Sequence, residues 1–378
     1  MLTHYNFRDK EGEDTDQRIL RYLKDRVKRV ILITHPFPEF GGKYSFLTMY
    51  EDGNPLLEKK VKVLKGPSLL QFFHHILITY YFLFYTGLKF DLCIALENLS
   101  FVSIFPLRLL GIFKRLVYYS IDFVPQRFSN PFLNWFYHFM DKFACQHSDV
   151  NWVMTKQMIE PRKDYEIKLS NSSPFVIVPI GYNIDDINVR PFDKIDLYSI
   201  VYAGGLRESY GPQLVIKIIP SLLKKFPKIR LTIIGIGKYE DELKKLIKVL
   251  KINKSIDFKG FIPSFKELTD TLAKHSVAVA PYMPVPGSYS YYSDPSKIKL
   301  YMCCGLPVIT TNVTTLSKTI SKTKSGIVIE YSERALFKAM TSLLKNKKTY
   351  KLYKEAAIKL SEGFDINVVM NPAIRRIP

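Results

Sequence analysis

The chain has 378 residues, of which 47% are hydrophobic and 24% are charged, and its formal net charge is +20. This composition excludes a disordered chain and provides enough apolar material for roughly two or three domains. The positive charge favours an acidic partner, such as nucleic acid, an anionic membrane surface or a phosphorylated substrate, without choosing among them.

The cysteines and the N-terminal segment indicate a chain kept in a reducing compartment. Cys93, Cys145, Cys303 and Cys304 form no C-x-x-C pair and no Cys/His spacing typical of zinc, so we expect reduced thiols and no metal site. The segment MLTHYNFRDKEGEDTDQ is polar and acidic, so we expect no signal peptide there.

Strand and helix patterns alternate in the first half of the chain. Strands are predicted at 28–35, 90–96, 114–122, 149–155 and 174–183, and a helix at 130–148. This alternation is typical of a parallel α/β sheet with helices on both faces. Residues 187–197 are polar and contain Pro191, which favours a linker.

An apolar run at 68–88, SLLQFFHHILITYYFLFYTGL, is long enough to span a bilayer. His74 and His75 lie near its middle and Gln71 precedes them, and polar groups at that depth are costly. We therefore predict a buried or interfacial amphipathic helix, with a membrane-surface helix and a true span as alternatives.

The pattern restarts after the linker. Strands are predicted at 198–206, 229–237, 255–262, 277–283 and 326–330, and helices at 212–226, 238–250, 264–276 and 334–363. Ser264 precedes Glu267 by three residues, which is the spacing of a capping box. Two similar α/β halves predict a cleft between them.

Parallel α/β sheets bind ligands beyond the carboxyl ends of their strands. The groups at those ends are His35 with Gly41 and Gly42, Glu97, Asp122, Gly204 with Gly205, Gly235 with Gly237, and the loop 284–296. Asp122 could act as an acid or base, anchor a polar substrate, or simply pair with Arg127. His35 could bridge polar groups or be a satisfied core histidine.

The segment YAGGLRESYG at 202–211 has glycines after a strand, and a helix is expected to start near Pro212. Glycines let a backbone approach a ligand closely, and the N–H groups of a helix start suit a phosphate. Arg207 could add a charge-assisted contact, although a plain tight turn remains the alternative. IIGIGKYEDEL at 233–243 lacks the third glycine of the dinucleotide fingerprint, which argues against a nicotinamide enzyme.

The stretch YYSDPSKIKLYMCCGLPVI at 291–309 predicts a helix followed by a strand. Asp294 is predicted as the N-cap, Pro295 as the first helical residue and Gly305 as the residue that ends the helix. Lys297 in the first turn opposes the helix dipole, and a nearby anionic ligand would relieve that conflict. A lysine that reaches into solvent is the alternative.

The order of these segments resembles the donor domain of GT-B glycosyltransferases, most closely the family 4 group of retaining enzymes. The similarity extends over VYAGGLRESYG, LTIIGIGKYEDEL, FKGFIPSFKELTDTLAKHSVAVAPY, PSKIKLYMCCGLPVITT and SGIVI, about 155 residues. In the first half, the HPF…GG loop, YYSIDFVPQRF and VIVPIGYN are similar to acceptor domains. The resemblance implies two Rossmann-like α/β domains facing each other across a cleft.

With this resemblance, we divide the chain into an acceptor-side domain at 1–186, a donor domain at 187–363 and a tail at 364–378, and the C-terminal helix could pack back on the first domain. It implies that a nucleotide-diphosphate sugar is the co-substrate and that neither a cofactor nor a metal is needed. Arg207 and Lys297 would stabilise the leaving diphosphate, and His35 or Asp122 would position a sugar. The implied donor-binding residues are Gly41, Gly42, Gly204, Gly205, Tyr210, Gly235, Ser293, Asp294, Pro295, Ser296 and Leu300.

The chain departs from the family pattern at four positions. Gly205 and Tyr210 stand where the family commonly has arginine and lysine. Tyr292 and Leu300 replace its paired glutamates, the second of which usually binds the donor ribose; a leucine cannot accept a hydrogen bond.

We therefore predict a retaining, metal-independent, hexosyltransferase-type enzyme of cell-surface polysaccharide or glycolipid synthesis. The alternative is a catalytically inactive binding or partner subunit. The acceptor would be a glycan or a lipid-linked glycan. We expect a cytoplasmic protein peripheral at the inner face of the cell membrane, with an anionic surface as partner and no nucleic acid.

Overall fold

The computed structural model describes residues 1–6, 14–37 and 42–378, without the side chains of residues 68 and 69. The chain divides into two compact units. Unit 1 comprises Met1–Gly181 with Ile366–Pro378, and unit 2 comprises Tyr182–Asp365. The acceptor and donor roles that the sequence assigned to its two domains stay predictions.

Unit 1 contains a sheet of eight strands in the order β4-β3-β2-β1-β5-β6-β7-β8. The strands are β1 (Leu2–Asn6), β2 (Arg29–Pro36), β3 (Tyr44–Glu51), β4 (Asn54–Lys62), β5 (Phe90–Leu96), β6 (Phe113–Ser120), β7 (Val150–Val153) and β8 (Phe175–Ile177). Its helices are α1 (Thr15–Lys24), α2 (Ser68–Thr86), α3 (Asn98–Leu109) and α4 (Pro131–His147). β1, β2 and β5–β8 pair in parallel, as expected, so their carboxyl ends share one edge.

Two parts of this sheet were not predicted. β1 lies between β2 and β5, and its polar sequence LTHYN hides its central place: Leu2, Thr3 and His4 are all buried. β3 and β4 form an antiparallel hairpin at the edge, joined at Asp52 and Gly53, which both have positive φ. Asp-Gly is a strong hairpin signal, so this element could have been found from the sequence.

The long apolar helix α2 is buried on one side only. Ile78 and Phe82 belong to the core of unit 1, while Phe73, Leu77 and Phe84 are exposed. Among the described residues no helix combines the length and the apolar character needed to cross a bilayer.

Unit 2 contains a six-stranded parallel sheet in the order β11-β10-β9-β12-β13-β14. Its strands are β9 (Ser199–Ala203), β10 (Arg230–Ile234), β11 (Ile256–Gly260), β12 (Val277–Ala280), β13 (Val308–Thr311) and β14 (Gly326–Ile329). Its helices are α5 (Pro212–Lys225), α6 (Glu240–Val249), α7 (Phe265–Leu272), α8 (Tyr289–Tyr292), α9 (Ser296–Cys303), α10 (Ser317–Thr323), α11 (Glu333–Lys345) and α12 (Lys347–Ser361).

Most of the helices in unit 2 follow the predicted pattern. α5 begins at Pro212, and the Ser264 hydroxyl accepts a hydrogen bond from Glu267 N–H at the start of α7, as expected of a cap. The single helix expected at 334–363 is two helices, because Asn346 interrupts it and caps α12.

The C-terminal segment is an ordered helix, α13 (Ile366–Arg375), rather than a plain tail. It packs within unit 1, where Asn371 Oδ1 accepts a hydrogen bond of 2.6 Å from the Tyr22 hydroxyl. Val369 and Met370 are buried.

Candidate functional site

The carboxyl ends of β9 and β10 form a tight backbone contact in unit 2. Gly204 N–H donates to Ile234 O at 2.8 Å. Gly235 has φ +130°, and a Cβ there would lie 2.0 Å from Gly204 O, so only glycine fits. Gly235 therefore supports the Gly204 turn by close packing; its predicted donor contact stays a prediction.

Two cationic side chains of unit 2 face one aromatic ring beside this turn. Lys297 Nζ lies 4.0 Å from the centroid of the Tyr210 ring, and Arg207 Cζ lies 5.7 Å from the same centroid. Gly205 also lies beside this ring, since a Cβ added to Gly205 would lie 3.6 Å from Tyr210 Cε2. The structure thus brings together Arg207, Lys297, Tyr210 and the two glycines that sequence reasoning placed near a phosphate.

Lys297 is half-buried and close to another cation. Burial, and next the positive charge of Arg207, lower the pKa of Lys297 to about 7. An anionic group bound here would favour the charged lysine. The tyrosine that stands at the family's lysine position therefore serves as an aromatic platform for a lysine from α9.

The start of α9 differs from the prediction by one residue. α9 begins at Ser296, Pro295 occupies the N-cap position, and no side chain caps the helix. Asp294 instead forms a buried ion pair of 2.5 Å with Lys299. Lys299 is consequently part of the internal structure, and Lys297 is the lysine of this turn that lies near Gly204.

The remaining predicted residues of this stretch are buried or half-buried. Ser293 and Leu300 are buried, and Ser296 O accepts a hydrogen bond from the Tyr182 hydroxyl. The Tyr301 hydroxyl donates to Ala203 O at 2.8 Å and accepts from Ala203 N–H at 2.7 Å. These two bonds join α9 to the end of β9. Gly305, with φ +74°, follows the helix end as predicted.

His35 at the end of β2 is a satisfied buried histidine, the alternative named for it. Its Nδ1 is 2.8 Å from Ser45 Oγ, its Nε2 is 2.8 Å from Thr79 Oγ1, and its ring stacks on His75. Burial, and next His75, lower the pKa of His35 well below the ordinary value. The geometry gives no support to the predicted catalytic role, which stays a prediction.

Asp122 follows β6 and pairs with Arg127, which is one of the three interpretations that the sequence allowed. Asp122 Oδ1 is buried and receives no hydrogen bond from any described residue. The other candidate partner of Arg127, Asp141, instead forms a buried ion pair with Arg162. Glu97 follows the neighbouring strand β5, and burial, and next the charge of Asp122, raise the pKa of Glu97 to about 7.

Two predicted residues lie in the loop after β2. Gly41 is outside the described residues, and Gly42 is half-buried two positions before β3. The four cysteines are buried, and none of them forms a disulfide. Across residues 1–6, 14–37 and 42–378 there is no cluster of three His, Cys, Asp or Glu side chains that could hold a metal ion.

Comparison with known proteins matches the second unit to a family. Residues 190–360 match the family model described as glycosyl transferases group 1. A Haemophilus influenzae protein described as an uncharacterized glycosyltransferase is 24% identical over 179 residues, which are 47% of this chain and 48% of that protein. The chain thus spans about half the length of this curated relative.

Solved structures are similar over nearly the whole chain. Sucrose-phosphate synthase from Thermosynechococcus elongatus has a TM-score of 0.72 at 14% identity, over 99% of this chain and 98% of that one. WaaG, a glycosyltransferase involved in lipopolysaccharide biosynthesis, has a TM-score of 0.70 at 14% identity, over 100% and 99%. Anabaena HepE in complex with UDP and glucose has a TM-score of 0.70 at 14% identity, over 99% and 98%. Residues 190–360 are therefore similar to the glycosyl transferases group 1 family, and the chain has the GT-B fold.

Proposed function

We propose that this chain is a retaining, metal-independent glycosyltransferase of the hexosyltransferase type. It transfers a sugar from a nucleotide-diphosphate sugar to a glycan or lipid-linked acceptor, in cell-surface polysaccharide or glycolipid synthesis. The observation that carries the proposal is the arrangement of Lys297 and Arg207 around Tyr210, beside the backbone of Gly204. The similar HepE structure in complex with UDP-glucose supports this class of co-substrate.

The cationic groups would act on the leaving diphosphate. When the bond between the anomeric carbon and the diphosphate oxygen breaks, negative charge accumulates on that oxygen. Lys297, protonated as the anion binds, and the guanidinium of Arg207 stabilise this charge, and fixed cations act with little reorganisation. The platform of Tyr210 keeps the Lys297 ammonium in place, because a cation over an aromatic face is attracted to it.

The ribose of the donor must be bound differently from the family pattern. Leu300 is buried and offers no hydrogen-bonding group, and Tyr292 is half-buried at the position of the other glutamate. These replacements favour a second candidate function, a catalytically inactive binding or partner subunit. A thermal-shift screen against nucleoside diphosphates separates the two, because a ligand that binds the folded state raises its stability. No shift with any of them favours the inactive subunit.

Turnover tests the enzyme directly. We expect hydrolysis or transfer with at least one nucleotide sugar, and a loss of about 10-fold or more in kcat in Lys297→Ala and in Arg207→Ala. Lys248→Ala, an exposed lysine on α6, is the control and should match the wild type. Equal rates in all four proteins would contradict the assigned roles.

A membrane surface is the second proposed partner. Phe132, Trp135 and Phe139 are exposed on one face of α4, and the Trp135 ring lies beside each of the two phenylalanine rings. Aromatic side chains favour the bilayer interface, and a net charge of +20 favours anionic lipid, so we propose a cytoplasmic protein peripheral at the inner membrane face. Flotation with anionic liposomes should recover the wild type and lose Trp135→Gln/Phe139→Gln. Recovery of the wild type only in the soluble fraction at low salt would contradict the proposal.

A further inference from the structure

Helix α2 of unit 1 has an exposed side that carries no charge. Its 19 residues, SLLQFFHHILITYYFLFYT, include no Asp, Glu, Lys or Arg. A helix on the surface of a water-soluble domain normally presents charged side chains to water, and a helix that is apolar all round is buried in a protein or in a membrane. The exposed side of α2 repeats every three or four residues and consists of Leu70, Phe73, Leu77, Tyr81, Phe84 and Tyr85.

The polar residues in the first half of α2 lie toward its flanks or the core and leave this exposed side apolar. His75 is buried. His74 Nδ1 accepts a hydrogen bond of 3.2 Å from Leu64 N–H. Gln71 Nε2 donates a hydrogen bond of 2.8 Å to Gly66 O. In the sequence these polar groups argued against a helix that spans a bilayer, and in the structure they do not interrupt the apolar side.

Cations lie along one edge of α2 and beyond both of its ends. Residues 59–90 contain no Asp or Glu and five lysines, which are Lys59, Lys60, Lys62, Lys65 and Lys89. Lys59 Nζ, from the edge strand β4, lies 3.4 Å from the centroid of the Tyr85 ring and 4.8 Å from that of the Tyr81 ring. These contacts hold the ammonium at the border of the apolar side. An apolar face bordered by cations is complementary to the surface of an anionic bilayer.

The exposed side of α2 belongs to the same layer of unit 1 as the aromatic face of α4. Ile78 of α2, Ile104 of α3 and Ala144 of α4 lie in one hydrophobic core, and α3 packs against both α2 and α4. The three helices therefore cover the same face of the sheet, and their exposed sides face away from it. Leu109 and Leu110, at the carboxyl end of α3, are exposed as well. A planar partner that meets α4 can thus meet α2.

A second copy of the chain is a poorer partner for this side of α2. Most homodimers have twofold symmetry, so the same patch of each copy would meet, and the lysines of one copy would lie close to those of the other. Like charges that are brought together in an interface repel each other. In an anionic bilayer the head groups instead pair with the lysines, while the acyl chains take up the apolar side.

We infer that α2 is a membrane-inserting helix, which lies in the plane of an anionic bilayer with its exposed side among the upper parts of the acyl chains. This inference rests on the membrane contact in the proposed function and deepens it, because it names the inserted element. Helices of this kind enter about 5–10 Å into the boundary between head groups and acyl chains. Ile78, Phe82 and Leu83 keep the other side of α2 in the core, so the helix stays on its sheet. Tyrosine rings and lysine ammonium groups at the border suit the head-group level.

Flotation with vesicles of phosphatidylcholine and phosphatidylglycerol in equal amounts tests the insertion. The wild type should bind at low salt and stay partly bound at about 1 M salt, where the screening length falls to about 3 Å and the apolar contribution persists. Leu77→Gln/Phe84→Gln should lower the partition coefficient by about 100-fold, at about tenfold for each apolar side chain lost. Leu77→Ile/Phe84→Leu keeps the apolar surface and should bind like the wild type. Val249→Gln/Leu352→Gln removes two exposed apolar side chains from unit 2 and, as the matched control, should also bind normally.

A fluorescent reporter on α2 measures the depth of insertion. Leu77→Trp in a Trp135→Phe background leaves the reporter and the buried Trp152 as the two tryptophans of the chain. Lipids that are brominated in their acyl chains should quench the reporter. Trp135→Phe alone, whose remaining tryptophan is buried, is the control and should show no quenching. An unquenched reporter in vesicle-bound protein would overturn the inference.

The outcomes also separate the inference from the proposed function. Equal vesicle binding by wild type and Leu77→Gln/Phe84→Gln, with both proteins folded by circular dichroism and unfolding midpoint, would overturn the inference and leave a membrane contact through α4 in place. A wild type that binds no vesicle would overturn both membrane proposals. A wild-type dimer that Leu77→Gln/Phe84→Gln converts to a monomer, with no vesicle binding by either, would assign this side of α2 to a second copy and overturn the inference. Turnover of a nucleotide sugar in solution tests the proposed enzyme independently.

Discussion

A Cβ atom added to Gly204 would lie 2.2 Å from Cε and 2.5 Å from Nζ of Lys297. The absence of a side chain at Gly204 is thus the condition for the lysine of α9 to lie against the end of β9. Gly204 also has φ +148°, which side chains rarely adopt. The position of the Lys297 side chain therefore depends on a glycine at position 204.

Gly204→Ala should displace Lys297 and weaken the site. We expect UDP affinity and kcat to fall by about 10-fold or more, since displacing a functional group by ~1 Å can cost about 100-fold. Calorimetry with UDP and turnover of a nucleotide sugar measure the effect. Gly363→Ala is the matched control, because a Cβ at Gly363 meets no atom within 4 Å. Unchanged binding and turnover in Gly204→Ala would contradict the arrangement.

The affinity for a nucleoside diphosphate should fall as the pH rises above 7. The pKa of Lys297 is lowered to about 7, so above this pH binding of the anion must take up a proton. The loss approaches about tenfold per pH unit for one proton, and phosphate itself titrates lower, near pH 6. Titration calorimetry from pH 7 to 9 measures it. Lys297→Arg, which stays charged, should give a flat profile; a flat wild-type profile would count against the role of Lys297.

The same lowered pKa predicts higher stability at higher pH in the absence of ligand. Between about pH 7 and the ordinary lysine value near 10.5, the unfolded chain binds a proton at Lys297 that the folded chain does not. This residue therefore contributes a free energy of unfolding that rises with pH in this window. Denaturation at pH 7 and 9 gives the change in the free energy of unfolding with pH for wild type and for Lys297→Met. The difference between these two pH slopes is the contribution of Lys297. Parallel slopes would disprove it.

The ion pair between Asp294 and Lys299 should be important for the stability of unit 2. Their side chains are 4% and 2% exposed, so removal of one partner leaves a buried charge. Lys299→Met or Asp294→Asn should each cost about 3–5 kcal/mol, measured by urea denaturation. The exposed pair Lys259–Asp257 is the control, and Lys259→Met should cost less than about 1 kcal/mol. Similar costs at the two pairs would contradict this interpretation.

Arg162 should have the corresponding role in unit 1. Its guanidinium donates to both oxygens of Asp141 at 2.8 and 2.9 Å and to Ser120 Oγ at 2.8 Å, and it is buried. Arg162→Met should cost about 3–5 kcal/mol, and Arg162→Lys should not restore the stability because an ammonium lacks the planar fork. Denaturation followed by far-UV circular dichroism measures the loss. Lys163→Met, in an exposed pair with Glu160, should be close to neutral; full stability of Arg162→Lys would disprove the need for the fork.

Elements with a strong local pattern were predicted closely. The buried run 90–96 is β5 with the same bounds, and α5 begins at Pro212 as expected. The chain also contains the order of glycine turns and strands that indicated GT-B architecture. β1 was missed because a short strand in the centre of a sheet needs no hydrophobic period of its own when its neighbours bury it.

The sequence predicted which residues form the candidate site better than it predicted how their side chains are arranged. Arg207, Tyr210, Lys297 and Gly204 are together, yet Tyr210 as the platform under Lys297 could be seen only in space. The role of Lys299 was also beyond the sequence, since Lys297 and Lys299 look alike in one turn. One lies beside Gly204 and the other is neutralised by Asp294, and only the direction of each side chain distinguishes them.

The sequence by itself determined the two α/β units, the strand ends that carry polar groups, and the family resemblance, because hydrophobic periods and turn residues act locally. The tertiary structure decided which of those polar groups have hydrogen-bond partners within the protein. His35 is bonded at both nitrogens, whereas Asp122 has a buried oxygen without a described donor. Partners such as Ser45 and Thr79 come from distant positions in the chain, and their proximity is a property of the packed fold.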